Sequence, residues 1–296
     1  MRLRSSTDTS ELASVGYSAL GYARGSGGNA GRYDVAIKED ALSVALIKEN
    51  ALRGKTAVVT GGSRGLGREM SLALARAGAL VYAGGRTPEA VEETVSLASD
   101  ASGSVEPLAF DVTDSRAVEA AADSVVERSG SIDVLINSAG VALMKPSLEV
   151  TDDEWTQLID NNLTGVFYCC RAFGRHMVAA KKGRVINIAS DIGIRGLAQW
   201  TAYSTSKGGL ISLTKSLAWE WAPDVTVNVL APGAFLTDMN AGLRERPGHT
   251  EAVAESAALK RWGIPHEIGP VTVLMASDAM DFMTGSIVSI DGGTQQ

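Results

Sequence analysis

Thr60-Gly61-Gly62-Ser63-Arg64-Gly65-Leu66-Gly67 is the stretch from which the fold can be read. An apolar run at 56–60 leads into it and a helix-like segment at 67–77 leads out. Glycines placed between a strand and a helix permit a tight turn. They also let backbone N–H groups approach a pyrophosphate at the helix N-terminus, where the dipole favours negative charge. A glycine-rich turn alone is weak, but between strand and helix near the start of an alternating chain it predicts nucleotide binding. Close packing of the loop is the competing reading.

Outward from that turn the alternation continues. Runs rich in Val, Ile, Leu and Ala stand at 56–60, 80–83, 105–110, 134–137, 184–189, 225–230 and 287–290. Helix-like stretches lie between them, among them 67–77, 115–129, 152–160 and 203–221. Near-continuous apolar strands separated by helices imply a parallel sheet covered on both faces. The expected fold class is therefore α/β, doubly wound, with a seven-stranded parallel sheet. Helix starts are signed by Thr87-Pro88 and by Thr151 followed by Asp152, Asp153 and Glu154.

The first 50 residues read differently. Between Gly16 and Gly31 stand six glycines with little aliphatic content, which suggests a flexible extension, followed by an apolar stretch at 34–50 of ambiguous period. Arg2, Arg4, Ser5 and Ser6 resemble the start of a transit peptide, but Asp8 and Glu11 count against one. The expected organisation is an extension at 1–50 and one domain at 51–296, in the cytoplasm.

Composition narrows the function classes. Of 296 residues, 45% are hydrophobic and 21% charged, which excludes a disordered or coiled-coil chain. A formal net charge of -7 argues against a nucleic-acid partner. No apolar run approaches the roughly 20 residues that span a bilayer, so no membrane partner is expected. The two cysteines, Cys169 and Cys170, are adjacent and give no disulfide framework. His176, His249 and His266 lack ligand spacing, so no metal is expected.

The turn has the form T-G-x-x-x-G-x-G. With it come Asn137-Ser138-Ala139-Gly140, Asn162-Leu163-Thr164-Gly165, Ser190, the pair Tyr203 and Lys207 as Y-x-x-x-K, and Pro232-Gly233 with Thr237. In this order the motifs resemble the short-chain dehydrogenase/reductase family over residues 52–293, with Ser138 where the family usually carries a second Asn. The resemblance implies a Rossmann fold and an NAD(P) cofactor. It fits 3-oxoacyl-carrier-protein reductases and sugar or polyol dehydrogenases such as gluconate 5-dehydrogenase about equally. An acyl-carrier partner would need a basic patch, and no basic run is evident.

An NAD site usually places an acid about 20 residues beyond the motif to bind the ribose. Counting from Gly65, that position is Gly85, followed by Arg86. Arg86, and Arg64 inside the loop, would attract a 2′-phosphate. NADP is thus the expected cofactor, with NAD the alternative and solvation the bland reading of each arginine. The cofactor would rest on Gly61, Ser63, Gly65, Leu66 and Gly67. By the resemblance, Asp111 and Val112 contact the adenine, although Asp111 could be only a helix cap. Asn137, Ala139 and Gly140 would line the adenosine ribose, Thr237 would hydrogen-bond the nicotinamide amide or a phosphate, and Pro232 and Gly233 are further cofactor-binding candidates.

Tyr203 and Lys207 share one helix face. A nearby ammonium would lower the phenol's ordinary pKa of about 10, so Tyr203 could donate a proton to a carbonyl or take one from an alcohol. Ser190, thirteen residues earlier, could donate to the same oxygen. In the family, Asn162 shapes a helix around a water that links the lysine to solvent. Residues 237–262 break the alternation, and by resemblance form a mobile lid. There Met239, Ala241 and Leu243 suggest apolar contact, while Arg244, Glu245, Arg246 and His249 suit solvent. Trp200 is a candidate substrate contact; Trp219 and Trp221 suit core or interface. Val166, Phe173, Leu210, Leu213 and Leu217 would allow the homotetramer or homodimer that the resemblance implies, but would serve a core equally well. The expected reaction is NADPH-linked interconversion of a ketone and a secondary alcohol, a small-molecule substrate. The alternatives are an NAD-preferring sugar or polyol dehydrogenase, or a cofactor-binding sensor.

Overall fold

The computed structural model describes residues 50–294. The extension and the apolar stretch at 34–50 lie, apart from Asn50, outside the described residues. Seven parallel strands form one sheet in the order β3-β2-β1-β4-β5-β6-β7. They are β1 Thr56–Thr60, β2 Leu80–Gly85, β3 Ser104–Ala109, β4 Val134–Asn137, β5 Gly183–Ile188, β6 Val225–Pro232 and β7 Ile287–Ile290. Every residue of β1 and β4 is buried, as central strands covered on both faces require. In the edge strand β3 only Val105 and Leu108 are buried, and the strand tolerates Pro107, which a central strand would not.

Helices cover both faces. Met70 and Leu74 of α1 (Gly65–Arg76), Val91 of α2 (Glu89–Leu97) and Ile268 and Val273 of α10 (Ile268–Ala276) pack on one side with Val59, Val81 and Ile136. On the other side Val118 of α3 (Ser115–Ser129), Phe173 of α5 (Gly165–Ala179) and Leu210 of α7 (Thr201–Trp221) pack with Val58, Leu135 and Val185. The remaining helices are α4 (Asp152–Ile159), α6 (Asp191–Arg195), α8 (Ala241–Arg244) and α9 (His249–Ser256). Helix α3 is bounded by Asp114, whose carboxylate accepts from the amides of Arg116 and Ala117, and by Gly130 at φ 79°. Thr151 and Glu154 form a reciprocal capping box on α4.

Some elements differ from the sequence expectation. Thr87 does not cap α2 through its hydroxyl. Pro88 already adopts helical angles, and the Thr87 carbonyl accepts from Ala90 N at 3.2 Å. Strand β2 runs two residues further, because Gly84 and Gly85 stay paired with Leu108 and Ala109. Of the two readings open for Val166, Phe173, Leu210 and Leu217, the core is the one found: they are buried within this chain and offer no face to a second copy. Among the described residues no helix is long and apolar enough to cross a membrane, and no group of three potential metal ligands occurs.

The chain leaves β1 toward β2 and β3, then returns to β4 on the other side. Thr60 and Asn137, the last residues of β1 and β4, stand side by side. Beyond the C-terminal ends of such a reversal a doubly wound sheet opens a crevice for ligands.

Candidate active site

The crevice is a cleft of about 1760 Å³, larger than the roughly 1,000 Å³ of a drug-sized pocket. It can take a dinucleotide and a second small molecule together. Gly61, Ser63, Arg64, Gly65, Leu66 and Gly67 line one end. Gly61 sits at φ 68°, and a Cβ there would come 2.9 Å from the Ala139 Cα. A Cβ on Gly67 would overlap the Gly61 carbonyl oxygen. No side chain caps α1 and no acid stands in its first turn, so its amides remain available to a phosphate. The cradle therefore fits a pyrophosphate. Gly67→Ala is expected to cost about 1–3 kcal/mol by overpacking, seen as a lowered Tm, and to weaken nucleotide binding in a titration. An unchanged Tm would contradict this account of the turn.

The loop is braced by residues the sequence reading passed over. The Arg68 guanidinium donates to the Ser63 carbonyl at 2.6 Å and to Thr94 Oγ1 at 3.2 Å, and it pairs with Glu93. Thr94 in turn donates to the Gly62 carbonyl at 3.0 Å. Arg64 and Arg86 are exposed on the cleft wall beside it. Thr60 Oγ1 accepts from both Ser138 N and Ala139 N at 3.0 Å, which ties the next wall to β1.

Asp111, Val112, Ala139, Gly140, Pro232, Gly233 and Thr237 also line the cleft. Asp111 Oδ1 is held by the amide and hydroxyl of Thr113 at 2.9 and 2.8 Å, so the local turn uses one of its oxygens. Asn137 does not reach the cleft. It is buried, with its Nδ2 donating to Asn187 Oδ1 at 2.8 Å, and Asn187 continues to Thr214. In place of the expected ribose contact its side chain forms a polar strut between β4 and β5, its amide engaged by Asn187.

At the far end stand Ser190, Tyr203 and Lys207, all lining the cleft. Ser190 follows β5, caps α6 by accepting from Ile192 N at 3.3 Å, and donates to Asp191 Oδ1 at 3.0 Å. The Lys207 ammonium donates to the Ile188 carbonyl at 2.8 Å and lies 5.8 Å from the centre of the Tyr203 ring. Burial lowers Lys207 to about 8. Burial pushes Tyr203 up to about 12; the Ser190 hydroxyl opposes the rise and the Asp191 carboxylate adds to it. This corrects the expectation that the ammonium brings the phenol down. In this arrangement burial dominates, and Lys207 is engaged by a carbonyl.

Asn162 sits on a π-helical turn, Asp160–Thr164, between α4 and α5. Its side chain is fully buried: Oδ1 accepts from Val141 N at 2.8 Å, while Nδ2 donates to Val141 O at 2.9 Å and to Ser206 at 3.2 Å. It does not line the cleft but clamps the wall after Gly140 to α7. Trp200 lines the cleft, its ring edge-on to Tyr203 at 5.5 Å. From residues 237–262 the cleft takes Met239, Leu243 and also His249, which the sequence had assigned to solvent; Ala241 is not among its lining. Asp191 and Arg195, unremarked in the sequence, line it as well, together with Thr294. The local signal was an acid immediately after Ser190 with an arginine four residues on.

The chain is similar to known dehydrogenases and reductases. The family model of short chain dehydrogenases matches residues 55–248. A 3-oxoacyl-[acyl-carrier-protein] reductase of Thermotoga maritima is 34% identical over 243 residues, covering 82% of this chain and 98% of that one. A D-threitol dehydrogenase of Mycolicibacterium smegmatis is 36% identical, covering 82% of this chain and 93% of its own. The crystal structure of a gluconate 5-dehydrogenase from Burkholderia cenocepacia, in complex with NADP and tartrate, superposes with a TM-score of 0.79 at 32% identity. It covers 83% of this chain and 97% of that one.

Proposed function

Because the chain belongs to the short-chain dehydrogenase family, and is thereby an NAD(P)-dependent oxidoreductase of alcohol and ketone groups, we propose that it interconverts a ketone and a secondary alcohol with NADP(H), using Tyr203 as general acid and base. The observation that carries this reading is the convergence of Ser190, Tyr203 and Lys207 on the cleft that begins at the glycine turn. The bound cofactor supplies or accepts the hydride. The glycine turn and the α1 N-terminus would hold its pyrophosphate, Asp111 and Val112 its adenine, Ala139 and Gly140 its ribose. Pro232, Gly233 and Thr237 would support the nicotinamide end, with Tyr203 and Lys207 on the reacting side.

Tyr203 Oη gives its proton to the carbonyl oxygen during reduction and takes one from the alcohol during oxidation. Ser190 donates to the same oxygen and Lys207 supplies positive charge nearby. With Tyr203 up at about 12 and Lys207 at about 8, the phenol is protonated and the lysine mostly charged at neutral pH, which suits reduction. Oxidation, which needs the phenolate, is expected to quicken as pH rises.

NADP is favoured over NAD by Arg64 and Arg86, both exposed on the cleft, and by the pairing of Glu93, an acid on the same cleft, with Arg68. The Burkholderia relative carries NADP. Replacing Arg64 and Arg86 together by alanine should raise the Kd for NADPH by about tenfold or more, since each charge-assisted bond is worth about 1.5–3 kcal/mol. NADH binding should change little. Equal loss for both cofactors, or tighter NADH binding by the native protein, would overturn the assignment and favour the NAD-linked polyol alternative. A homotetramer or homodimer is part of the same proposal. Its support is that Phe167 on α5 and Trp219 on α7 are 41% and 86% exposed.

A further inference from the structure

Asp191 stands at the reacting end of the cleft with almost no solvent access, at 4% exposure. Its two oxygens are treated differently. Oδ2 takes three donors: Arg195 Nη2 at 3.0 Å, Arg195 Nε at 3.2 Å and Thr294 Oγ1 at 3.1 Å. Those bonds fix the carboxylate and occupy that oxygen. Oδ1 has one donor, the Ser190 hydroxyl at 3.0 Å.

A hydroxyl carries one proton. When Ser190 donates to the reacting oxygen of a substrate, its bond to Asp191 Oδ1 must break. A buried carboxylate oxygen then loses its donor, and an acceptor left unmade in low dielectric is costly. A substrate that brings a donor of its own offsets the loss. Oδ1 lies 3.0 Å from Ser190 Oγ, so a donor close to the reacting oxygen can reach it. A hydroxyl on the adjacent carbon is so placed, because vicinal oxygens stand about that far apart. A 3-oxoacyl ester presents a CH₂ there and donates nothing.

We propose that Asp191 is a specificity-determining residue that selects α-hydroxy ketones in reduction and vicinal diols in oxidation. Arg195 and Thr294 hold it in place. The inference rests on the Ser190–Tyr203 reading above, and names the substrate class of that site.

The test is kcat/KM with NADPH for three small ketones: 3-hydroxybutan-2-one, butan-2-one and ethyl 3-oxobutanoate. The native enzyme should favour the hydroxy ketone over both others by about tenfold or more, as expected where a site is built to bond a hydroxyl. Asp191→Ala should bring the three within about threefold, mainly by losing the hydroxy ketone. Asp191→Asn, which keeps the shape and an acceptor oxygen, should retain part of the preference and guards against misfolding of the alanine variant. Equal turnover of all three by the native enzyme, or a preference that survives Asp191→Ala, overturns the inference and leaves the oxidoreductase reading standing. Turnover of none by a protein that binds NADPH overturns the reading on which it rests.

Discussion

Tyr203→Phe is expected to lower kcat/KM for ketone reduction by about a thousandfold, within the 10²–10⁴ range of a positioned general acid. NADPH binding should stay within about threefold. The reason is geometric. The ring is held edge-on by Trp200, a contact phenylalanine keeps, and only the hydroxyl that faces the cleft is removed. Stability should hardly change at neutral pH. The phenol is protonated in both folded and unfolded chains there, and its contribution through burial appears elsewhere. A folded-state pKa of about 12 lies above the ordinary value of 10, so ionisation of Tyr203 costs the fold nothing below pH 10 and destabilises it increasingly as pH rises from 10 to 12. The phenylalanine variant should accordingly resist alkaline unfolding better than the native protein. A variant that keeps its turnover would remove Tyr203 from the chemistry; one that loses NADPH binding as well would make it a structural residue.

Lys207→Met is the second large effect, and it has two opposite signs. Turnover should fall by about a hundredfold or more, because the positive charge beside the reacting oxygen is gone. Stability at pH 7 should rise. Lys207 is 5% exposed, and burial takes its pKa from 10.5 to about 8. A shift of that size corresponds to about 3 kcal/mol of penalty on the charged form. Methionine has nearly the same shape and fills the same space, while the lost bond to the Ile188 carbonyl returns about 1 kcal/mol. The net gain is about 2 kcal/mol at pH 7. It should shrink as pH rises from 8 to 10.5, where the native lysine becomes neutral on folding and then neutral in both states. Chemical denaturation at pH 7 and pH 10 checks this. A methionine variant that is less stable at both, by the same amount, would show that Lys207 holds the fold through its hydrogen bond alone. The trade expected is stability against function at one residue.

The fold was legible where side-chain pattern and punctuation agree. Strands β1, β4 and β7 and helix α3 fall on the residues read from sequence, the helix because Asp114 opens it and Gly130 closes it. Boundaries slipped where backbone pairing, which sequence pattern does not display, overrides weak strand formers, as at Gly84 and Gly85. In the candidate site the residues named by motif gather at one cleft, except Asn137 and Asn162, whose side chains turn inward to Asn187 and to Val141. A motif gives residue type and order, not the direction of a side chain. The raised phenol could not be read at all, since it depends on burial and on Asp191. The ring of bonds around Asp191 joins it to Thr294 across 103 residues, a contact no local pattern announces. Arg68 was hidden for the same reason, its partners lying on the glycine loop and on α2.

The most direct measurement follows the hydride. NADPH carrying deuterium on both positions of its nicotinamide C4 is incubated with the native protein and 3-hydroxybutan-2-one, and the product is examined by mass spectrometry. One deuterium is expected on the new carbinol carbon, formed by the native protein and not by Tyr203→Phe. Cofactor oxidised without label in the alcohol, or label transferred equally well by the phenylalanine variant, would contradict it.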